Sequence, residues 1–247
     1  MMLLNHAVVQ LIQRSRRDGL RSTAALVGKN LPRPLYEWLI HRRVRAHEQF
    51  DLKYRVDTQM PVRLHELEMS APGARFANRY EGTPIAVLHK IIRRLKVDRR
   101  RFTFIDLGSG KGRVLLIAAQ YPFKSVIGIE FSNKLHNIAL NNIEKFAVLG
   151  FTKTTLTSIN CDAGEFGFSH IGDKIIFCYN PFGADLMNRV LDNLLLPPHR
   201  QEETIFIYLG AMPCAVSEKL TPFQIIAKGE FLSEFGFFER YSIHQIQ

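Results

Sequence analysis

A glycine-rich segment near the middle of the chain is the first candidate for chemistry. It reads Asp106-Leu-Gly-Ser-Gly-Lys-Gly after an apolar run, with Gly108, Gly110 and Gly112 at alternate positions. Glycines in this spacing let the backbone turn sharply and approach a ligand that any Cβ would push away. The helix predicted after them has free N–H groups at its N-terminus. Asp106, inside the end of the run, suits a ligand that carries an amino group.

The spacing of this segment excludes two better-known glycine loops. A dinucleotide site of the G-x-G-x-x-G type needs glycine at the sixth position, where this chain has Arg113. A phosphate-binding P-loop needs four residues between its first glycine and Gly-Lys-[Ser/Thr], and that spacing is absent. The segment therefore predicts a site for another kind of small molecule.

Two further acids come at the ends of the next two apolar runs. Glu130 directly follows Val126–Ile129, about 20 residues past the glycines, where a carboxylate can accept hydrogen bonds from both hydroxyls of a ribose. Asp162 comes after the following run and can accept a hydrogen bond from the exocyclic amine of an adenine; an ordinary loop aspartate is the alternative. The two acids predict a nucleoside-binding edge next to the glycines.

The elements that must position these residues alternate between strand and helix from residue 83 onward. Alternation of this kind implies crossover connections and a parallel sheet. Thr83-Pro84 predicts the start of the first helix, with Thr83 as its N-cap. Two β-rich runs near the end predict a closing hairpin. The predicted strands are 102–107, 125–130, 155–160, 174–179, 204–209, 223–231 and 237–246, and the predicted helices after the first are 113–120, 133–149, 184–195 and 214–219.

The ordered set of motifs resembles the class I S-adenosylmethionine (SAM)-dependent methyltransferases over roughly residues 80–247. The motifs are the glycine segment, Glu130, Cys161-Asp162-Ala163 and Tyr179-Asn180-Pro181-Phe182. The resemblance implies an α/β fold with a doubly wound, mostly parallel seven-stranded sheet of order 3-2-1-4-5-7-6 and an antiparallel C-terminal hairpin. In that order Cys161 and Cys178 belong to non-adjacent strands, which argues against a disulfide between them.

The same resemblance assigns roles in binding SAM across the carboxyl ends of strands 1 and 2. It implies that the loop Gly108–Gly112, with Ser109, holds the methionine part of SAM. Asp106 would contact the amino group, Glu130 the ribose and Asp162 the adenine.

A second resemblance concerns Tyr80-Glu-Gly-Thr-Pro84, upstream of the glycines. A tyrosine and a threonine opening the helix before D-L-G-S-G-x-G-R are similar to lysine methyltransferases related to the telomeric-silencing histone enzyme. The resemblance implies that Tyr80 and Thr83 belong to the SAM site. Because this helix runs back to the start of strand 1, its N-terminus should lie at the SAM edge. The basic cluster 93–101 should then lie at the opposite edge, as a solvated face.

Asn180, Pro181 and Phe182 are the candidates for handling the methyl acceptor. Methyl transfer is an in-line displacement, and holding donor and acceptor in line can supply roughly 7–11 kcal/mol of barrier reduction. The Asn180 amide can accept a hydrogen from an incoming amine, and Phe182 can wall the pocket. The alternative is a simple strand-to-loop turn. Amide and nucleobase acceptors usually go with Asn/Asp-Pro-Pro-aromatic, so the early Phe182 disfavours them. Tyr179 can either line the pocket or pack in the core.

The positive charge of the chain is concentrated ahead of the first strand. The net charge is +10, and residues 1–101 contain 21 Lys and Arg against nine acids. One interpretation is a solvated basic face; the other is attraction to nucleic acid, an acidic protein or an anionic membrane. We divide the chain into a basic, mainly helical extension (1–79) and a methyltransferase domain (80–247). Residues 3–12 predict a helix packed on its own domain, with a membrane-surface helix or transit peptide as the alternative. Leu35–Ile40 predicts a short helix after Pro34.

Three functions follow from these observations. The first is methyl transfer from SAM to a protein amine such as lysine, and the second is methylation of RNA or a small molecule. The third is a non-catalytic scaffold, which the intact glycines and Glu130 disfavour. The three cysteines form no C-x-x-C pair, so we expect no metal site. No secretory signal is evident and no run reaches the roughly 18–20 apolar residues of a membrane span, so we expect a cytoplasmic protein.

Overall fold

The fold is described from a computed structural model. It describes residues 33–60, 62, 82–179, 182–195, 202–210, 212, 214–221, 223–232 and 238–246. The predicted helix over residues 3–12 lies outside these ranges, as do Tyr80, Asn180 and Pro181.

A seven-stranded sheet forms the centre of the described residues, in the order β3-β2-β1-β4-β5-β7-β6. Strands β1 to β5 pair in parallel, whereas β7 is antiparallel to both β5 and β6. The predicted doubly wound sheet and its closing hairpin are therefore confirmed. The strands are β1 (Thr103–Leu107), β2 (Ser125–Glu130), β3 (Thr155–Asn160), β4 (Lys174–Tyr179), β5 (Thr204–Leu209), β6 (Gln224–Leu232) and β7 (Phe238–Ile246).

Helices cover both faces of the sheet, so its central strands β1, β4 and β5 are almost entirely buried. Side chains alternate between the faces along a strand. Phe104 of β1 packs in one apolar cluster with the helices α1 to α4, and Ile105 packs in another with α5 and α6. The helices are α1 (Arg33–Tyr54), α2 (Ile85–Arg94), α3 (Arg113–Ala118), α4 (Asn133–Val148), α5 (Ala184–Leu195) and α6 (Cys214–Lys219).

Three helix predictions need correction. Helix α1 is 22 residues long rather than a short helix at Leu35–Ile40. Pro34 lies in its first turn, where a missing N–H costs nothing, so it begins the helix instead of interrupting it. Helix α2 begins at Ile85 with Pro84 as N-cap, and no side chain caps it; Thr83 is buried instead. Helix α3 ends at Ala118 because Gln120 and Tyr121 bond to carbonyls three residues back and tighten the chain into a turn.

The C-terminal half of α1 packs directly against α4 and the turn that follows it. The rings of Phe50 and Tyr54 lie 4.7 Å apart, and Tyr54 contacts Phe146 at 4.9 Å and Phe151 at 5.1 Å between centroids. This part of the extension therefore belongs to the apolar core of the domain. None of the described helices has the length and hydropathy needed to cross a bilayer.

The basic cluster 93–101 lies at the amino ends of the strands, opposite the glycine loop, as predicted. A 3-10 helix of Arg99–Arg101 directly precedes β1. Arg101 pairs with Asp173 at 2.6 Å, just before β4, and remains largely exposed. Cys161 and Cys178 are both free thiols, which confirms the absence of a disulfide between them.

Candidate functional site

The glycine loop connects the end of β1 to α3 and folds over the end of β2. Gly108, Gly110 and Gly112 have φ angles of +74°, +53° and +83°, a region that residues with a Cβ rarely adopt. The N–H groups of Gly108 and Ser109 both donate to the carbonyl oxygen of Ile129, at 2.9 and 3.0 Å. Alternate glycines are therefore needed because the loop adopts a positive φ at three positions within five residues.

Gly128 allows this close approach, and the sequence analysis gave it no role. A Cβ on Gly128 would lie 2.6 Å from Ser109 Oγ and 2.6 Å from Leu115 Cδ1. An isolated glycine inside a predicted strand is a signal for such an approach. Gly128 therefore belongs to the structural basis of the loop.

Glu130 holds the loop from the tip of β2. Its Oε2 accepts a 2.8 Å hydrogen bond from Gly110 N, and its Oε1 accepts one of 2.8 Å from Ser132 N. The side chain is only 3% exposed. In this structure the carboxylate therefore organises the backbone around the site, and its contact with a ribose stays a prediction.

Asp106 and Glu130 form a pair of buried carboxyl groups beneath the loop. Burial, and in second place the charge of Glu130, raises the pKa of Asp106 well above its usual range. Burial raises the pKa of Glu130 to about 7, against the lowering effect of hydrogen bonds from the backbone of Ser132, Gly110 and Phe131. A cationic ligand would favour ionisation of this pair.

This pair predicts a pH dependence of ligand binding. The folded protein holds these protons more tightly than the unfolded chain, so the stabilising contribution of Glu130 falls as pH rises from its ordinary pKa of 4.5 to about 7. Binding of a cationic amino group requires the protons to leave. We therefore expect the affinity for S-adenosylhomocysteine (SAH) to rise between about pH 5.5 and about pH 7.5, by at most about tenfold per pH unit for each proton.

Calorimetric titration with SAH across this range measures the effect. Titrations in buffers of different ionisation enthalpy should show proton release on binding near neutral pH. Asp106→Asn is expected to bind SAH more weakly and with a flatter pH profile. An affinity of the unaltered protein that is independent of pH would contradict the assignment.

A cleft opens between the glycine loop and the start of α2. It brings together four of the predicted site residues, Thr83, Asp106, Gly108 and Ser109, and is also lined by Gly82, Arg113, Val114 and Tyr179. The Ser109 hydroxyl is buried and has no hydrogen-bond partner among the described residues. A ligand with polar groups at this wall would satisfy it, so the residues present fit SAM.

Tyr179 combines the two roles that the sequence left open. It lines this cleft, and its ring also meets Phe231 edge-on, with 6.4 Å between centroids.

The remaining predicted residues lie at or beyond the margins of the cleft. Gly112 is the N-cap of α3 and approaches Ala139. Asp162 lies two residues past β3, where its Oδ1 accepts from Gly164 N at 2.8 Å and its Oδ2 is 3.8 Å from Arg189 Nη2. Phe182 is buried in the apolar cluster that contains α5. The roles of Asp162 in binding adenine and of Phe182 in catalysis stay predictions.

Comparison with known proteins shows that part of the chain is similar to a methylation family. Residues 73–168 match the family model described as histone methylation protein DOT1. A protein-lysine N-methyltransferase of Saccharolobus islandicus (strain REY15A) is 35% identical over 72 residues, which are 29% of this chain and 44% of that protein. The chain therefore spans less than half the length of this curated relative.

Solved structures of similar fold include proteins with different acceptors in their names. The magnesium protoporphyrin IX methyltransferase of Synechocystis PCC 6803, with bound SAH, has a TM-score of 0.48 and 15% identity over 66% of this chain and 83% of its own. The M1A22 tRNA methyltransferase TrmK of B. subtilis has a TM-score of 0.47 and 12% identity over 68% of this chain and 67% of its own. A shared fold does not specify the acceptor.

The family match covers the glycine loop, Glu130 and the segment before α2, and the sheet has the order that the motifs predicted. The chain is therefore similar to the DOT1 family over residues 73–168, and its sheet has the strand order implied by the resemblance to class I SAM-dependent methyltransferases.

Proposed function

We propose that this protein transfers a methyl group from SAM to a protein side-chain amine, most simply that of lysine. The observation that carries this proposal is that Thr83 and Asp106 line one cleft although they belong to separate motifs. The motif that includes Thr83 is the one similar to lysine methyltransferases. The partial matches to a histone methylation family and to a protein-lysine methyltransferase support the same acceptor.

Different residues of the cleft bind different parts of SAM. Asp106 supplies a buried carboxylate for the amino group of SAM, and the glycine loop leaves space for its methionine part. SAM supplies a methyl group on an electrophilic sulfonium. The task of the protein is then to exclude water and to hold an amine in line with that methyl group. Such positioning alone can accelerate methyl transfer strongly.

Incubation with radiolabelled SAM tests this function directly. The purified protein is incubated with SAM and either a mixture of basic proteins or total RNA, and each product is digested by protease or ribonuclease. We expect protease-sensitive label that amino-acid analysis identifies as methyl-lysine. Label found only in RNA, or no transfer to protein from SAM that binds, would contradict the lysine proposal.

RNA is the second candidate acceptor because of the basic excess in residues 1–101. Binding through phosphate contacts weakens steeply as salt rises. A strongly salt-dependent association with RNA, together with RNA labelling in the same assay, would favour this alternative.

Asn180 offers a separate test of the acceptor side. If its amide orients the amine, Asn180→Ala should bind SAH normally but turn over about 10²-fold more slowly, since misplacement of a reactant costs this much. Asn137→Ala is the control, because Asn137 is exposed on α4 and bonds only to Asn133 among its described partners. Normal turnover of Asn180→Ala would remove its catalytic assignment.

A further inference from the structure

We propose that the N-terminal extension forms part of the SAM site, by a clamp that holds the glycine loop through two buried cations. The clamp consists of His47, Asp57 and Thr58 from the extension, Lys111 from the loop and Arg113 from the start of α3. The measurement of SAH affinity rests on the proposed function. The measurement of loop order does not, because it needs no ligand.

Arg113 is the first of the two cations and the first residue of α3. Its Nε donates to Thr58 Oγ1 at 2.9 Å and its Nη2 donates to the Thr58 carbonyl at 2.8 Å. Its Nη1 lies 3.0 Å from His47 Nδ1. Because an arginine has only donors, this ring nitrogen of His47 must be the acceptor. All three side chains are buried, and Arg113 is only 2% exposed.

The same guanidinium also contacts the other wall of the cleft. A Cβ on Gly82 would collide with it, coming within 2.6 Å of the guanidinium carbon. Arg113 therefore joins α1, the turn at Thr58 and the chain before α2, all at the N-terminus of the helix that follows the glycine loop. It also lines the cleft itself.

Lys111 is the second cation and lies between two of the loop glycines. Its Nζ is 2.8 Å from both carboxylate oxygens of Asp57. Lys111 is 2% exposed, whereas the Asp57 side chain is 48% exposed. The ion pair thus pins the middle of the loop to the extension at the protein surface.

Asn142 of α4 closes the arrangement. Its amide accepts from Asp57 N at 2.9 Å and donates to the Asp57 carbonyl at 2.8 Å. The same amide group donates to the Lys111 carbonyl at 2.9 Å. The turn of the extension and the loop are therefore held by one side chain as well as by their own ion pair.

The clamp can order the glycine loop before a ligand binds. Glycines lose more conformational freedom on ordering than other residues, so a loop of alternate glycines is costly to hold in one conformation. Contacts that order the loop before the ligand arrives reduce the cost paid on binding. The clamp supplies such contacts from the extension, in addition to the hydrogen bond by which Glu130 of β2 holds Gly110.

Lys111→Met tests the clamp, with Lys174→Met as its matched control. Removing one partner of an ion pair is most costly when the remaining charge is buried, but Asp57 is half exposed and would remain solvated. Lys174 is also fully buried and pairs with a partly exposed acid, Glu202, at 2.7 Å, but it lies at the opposite edge of the sheet. Both variants therefore lose one buried lysine of the same kind, and only one of them touches the loop.

Two readouts are compared, namely amide hydrogen exchange of the peptide covering the loop and SAH affinity by calorimetry. We expect Lys111→Met to exchange faster in the loop and to bind SAH about tenfold more weakly. Lys174→Met should change neither readout, whatever its melting temperature. Asp57→Asn should resemble Lys111→Met, and the double variant should be no worse than either single variant, as for a coupled pair.

Unchanged exchange and affinity in Lys111→Met, or equal changes in Lys174→Met, would overturn the clamp. Additive effects of the two clamp variants would overturn it as well. If the unaltered protein bound no SAH, the proposed function would fail. The exchange comparison would still decide whether the extension orders the loop.

Discussion

Replacement of Gly110 by valine is expected to abolish SAH binding while most of the fold remains. Gly110 has a φ of +53°, where a β-branched residue is strained by about 1–3 kcal/mol, and its N–H donates to Glu130. The loop must therefore change its conformation beside the cleft, which Gly108 and Ser109 line. We expect a loss of affinity of about 100-fold or more, measured by calorimetry, because two or more ligand contacts of about 1.4 kcal/mol each would be lost.

Gly150→Val is the matched control for this prediction. Gly150 also has a positive φ, of +71°, but it follows α4 and a Cβ there would meet no atom within 4 Å. Gly150→Val should therefore lose comparable stability and keep its affinity for SAH. Unchanged SAH binding by Gly110→Val would remove the glycine loop from the cofactor site.

Removal of the Glu130 carboxylate is expected to have the second largest effect. In Glu130→Ala the N–H groups of Gly110 and Ser132 lose their acceptor, at a cost of about 1–3 kcal/mol for each buried donor. Any hydrogen bond to the ribose would be lost as well. We expect SAH affinity to fall about 100-fold and the melting temperature to fall by several degrees, about 2–4 °C for each kcal/mol.

Asp173→Ala is the matched control for Glu130→Ala, and it separates an effect on SAH affinity from an effect on stability. Asp173 also accepts from a backbone N–H, that of Glu203 at 2.9 Å, and pairs with Arg101, but it lies at the opposite edge of the sheet. This control should lower the melting temperature and leave SAH affinity intact. Equal SAH affinities of the two variants would mean that Glu130 serves the fold alone.

The bounds of the strands could be predicted closely because each strand is encoded by a short run of neighbouring residues. Four of the five parallel strands have the predicted bounds, since β2, β4 and β5 are short, mainly apolar runs that the sheet buries, and the more exposed β3 lies at its edge. The N-cap of α4 was also readable, because Ser132 accepts from Leu135 N, three residues on. The prediction that Thr83 caps α2 was wrong because the position of this side chain depends on tertiary packing. Thr83 is buried beside the cleft and does not cap the helix.

The candidate site was predictable in part. Asp106, the glycines and Glu130 are close in space because strand order places the ends of β1 and β2 side by side. That Glu130 bonds Gly110, and that Gly128 leaves room for Ser109, depends on the register of two strands and on side-chain directions.

The amino-acid sequence by itself determined the parallel sheet, the glycine loop and the acids at its edge, because each is encoded within a few neighbouring residues. Only the tertiary structure decided what Lys111 and Arg113 do. Their partners Asp57, Thr58 and His47 are 54 to 66 residues away along the chain, so no local pattern brings them together. The sequence pattern alone does not show that these cations are buried, and packing of the extension on α3 and α4 makes them buried contacts at the glycine loop.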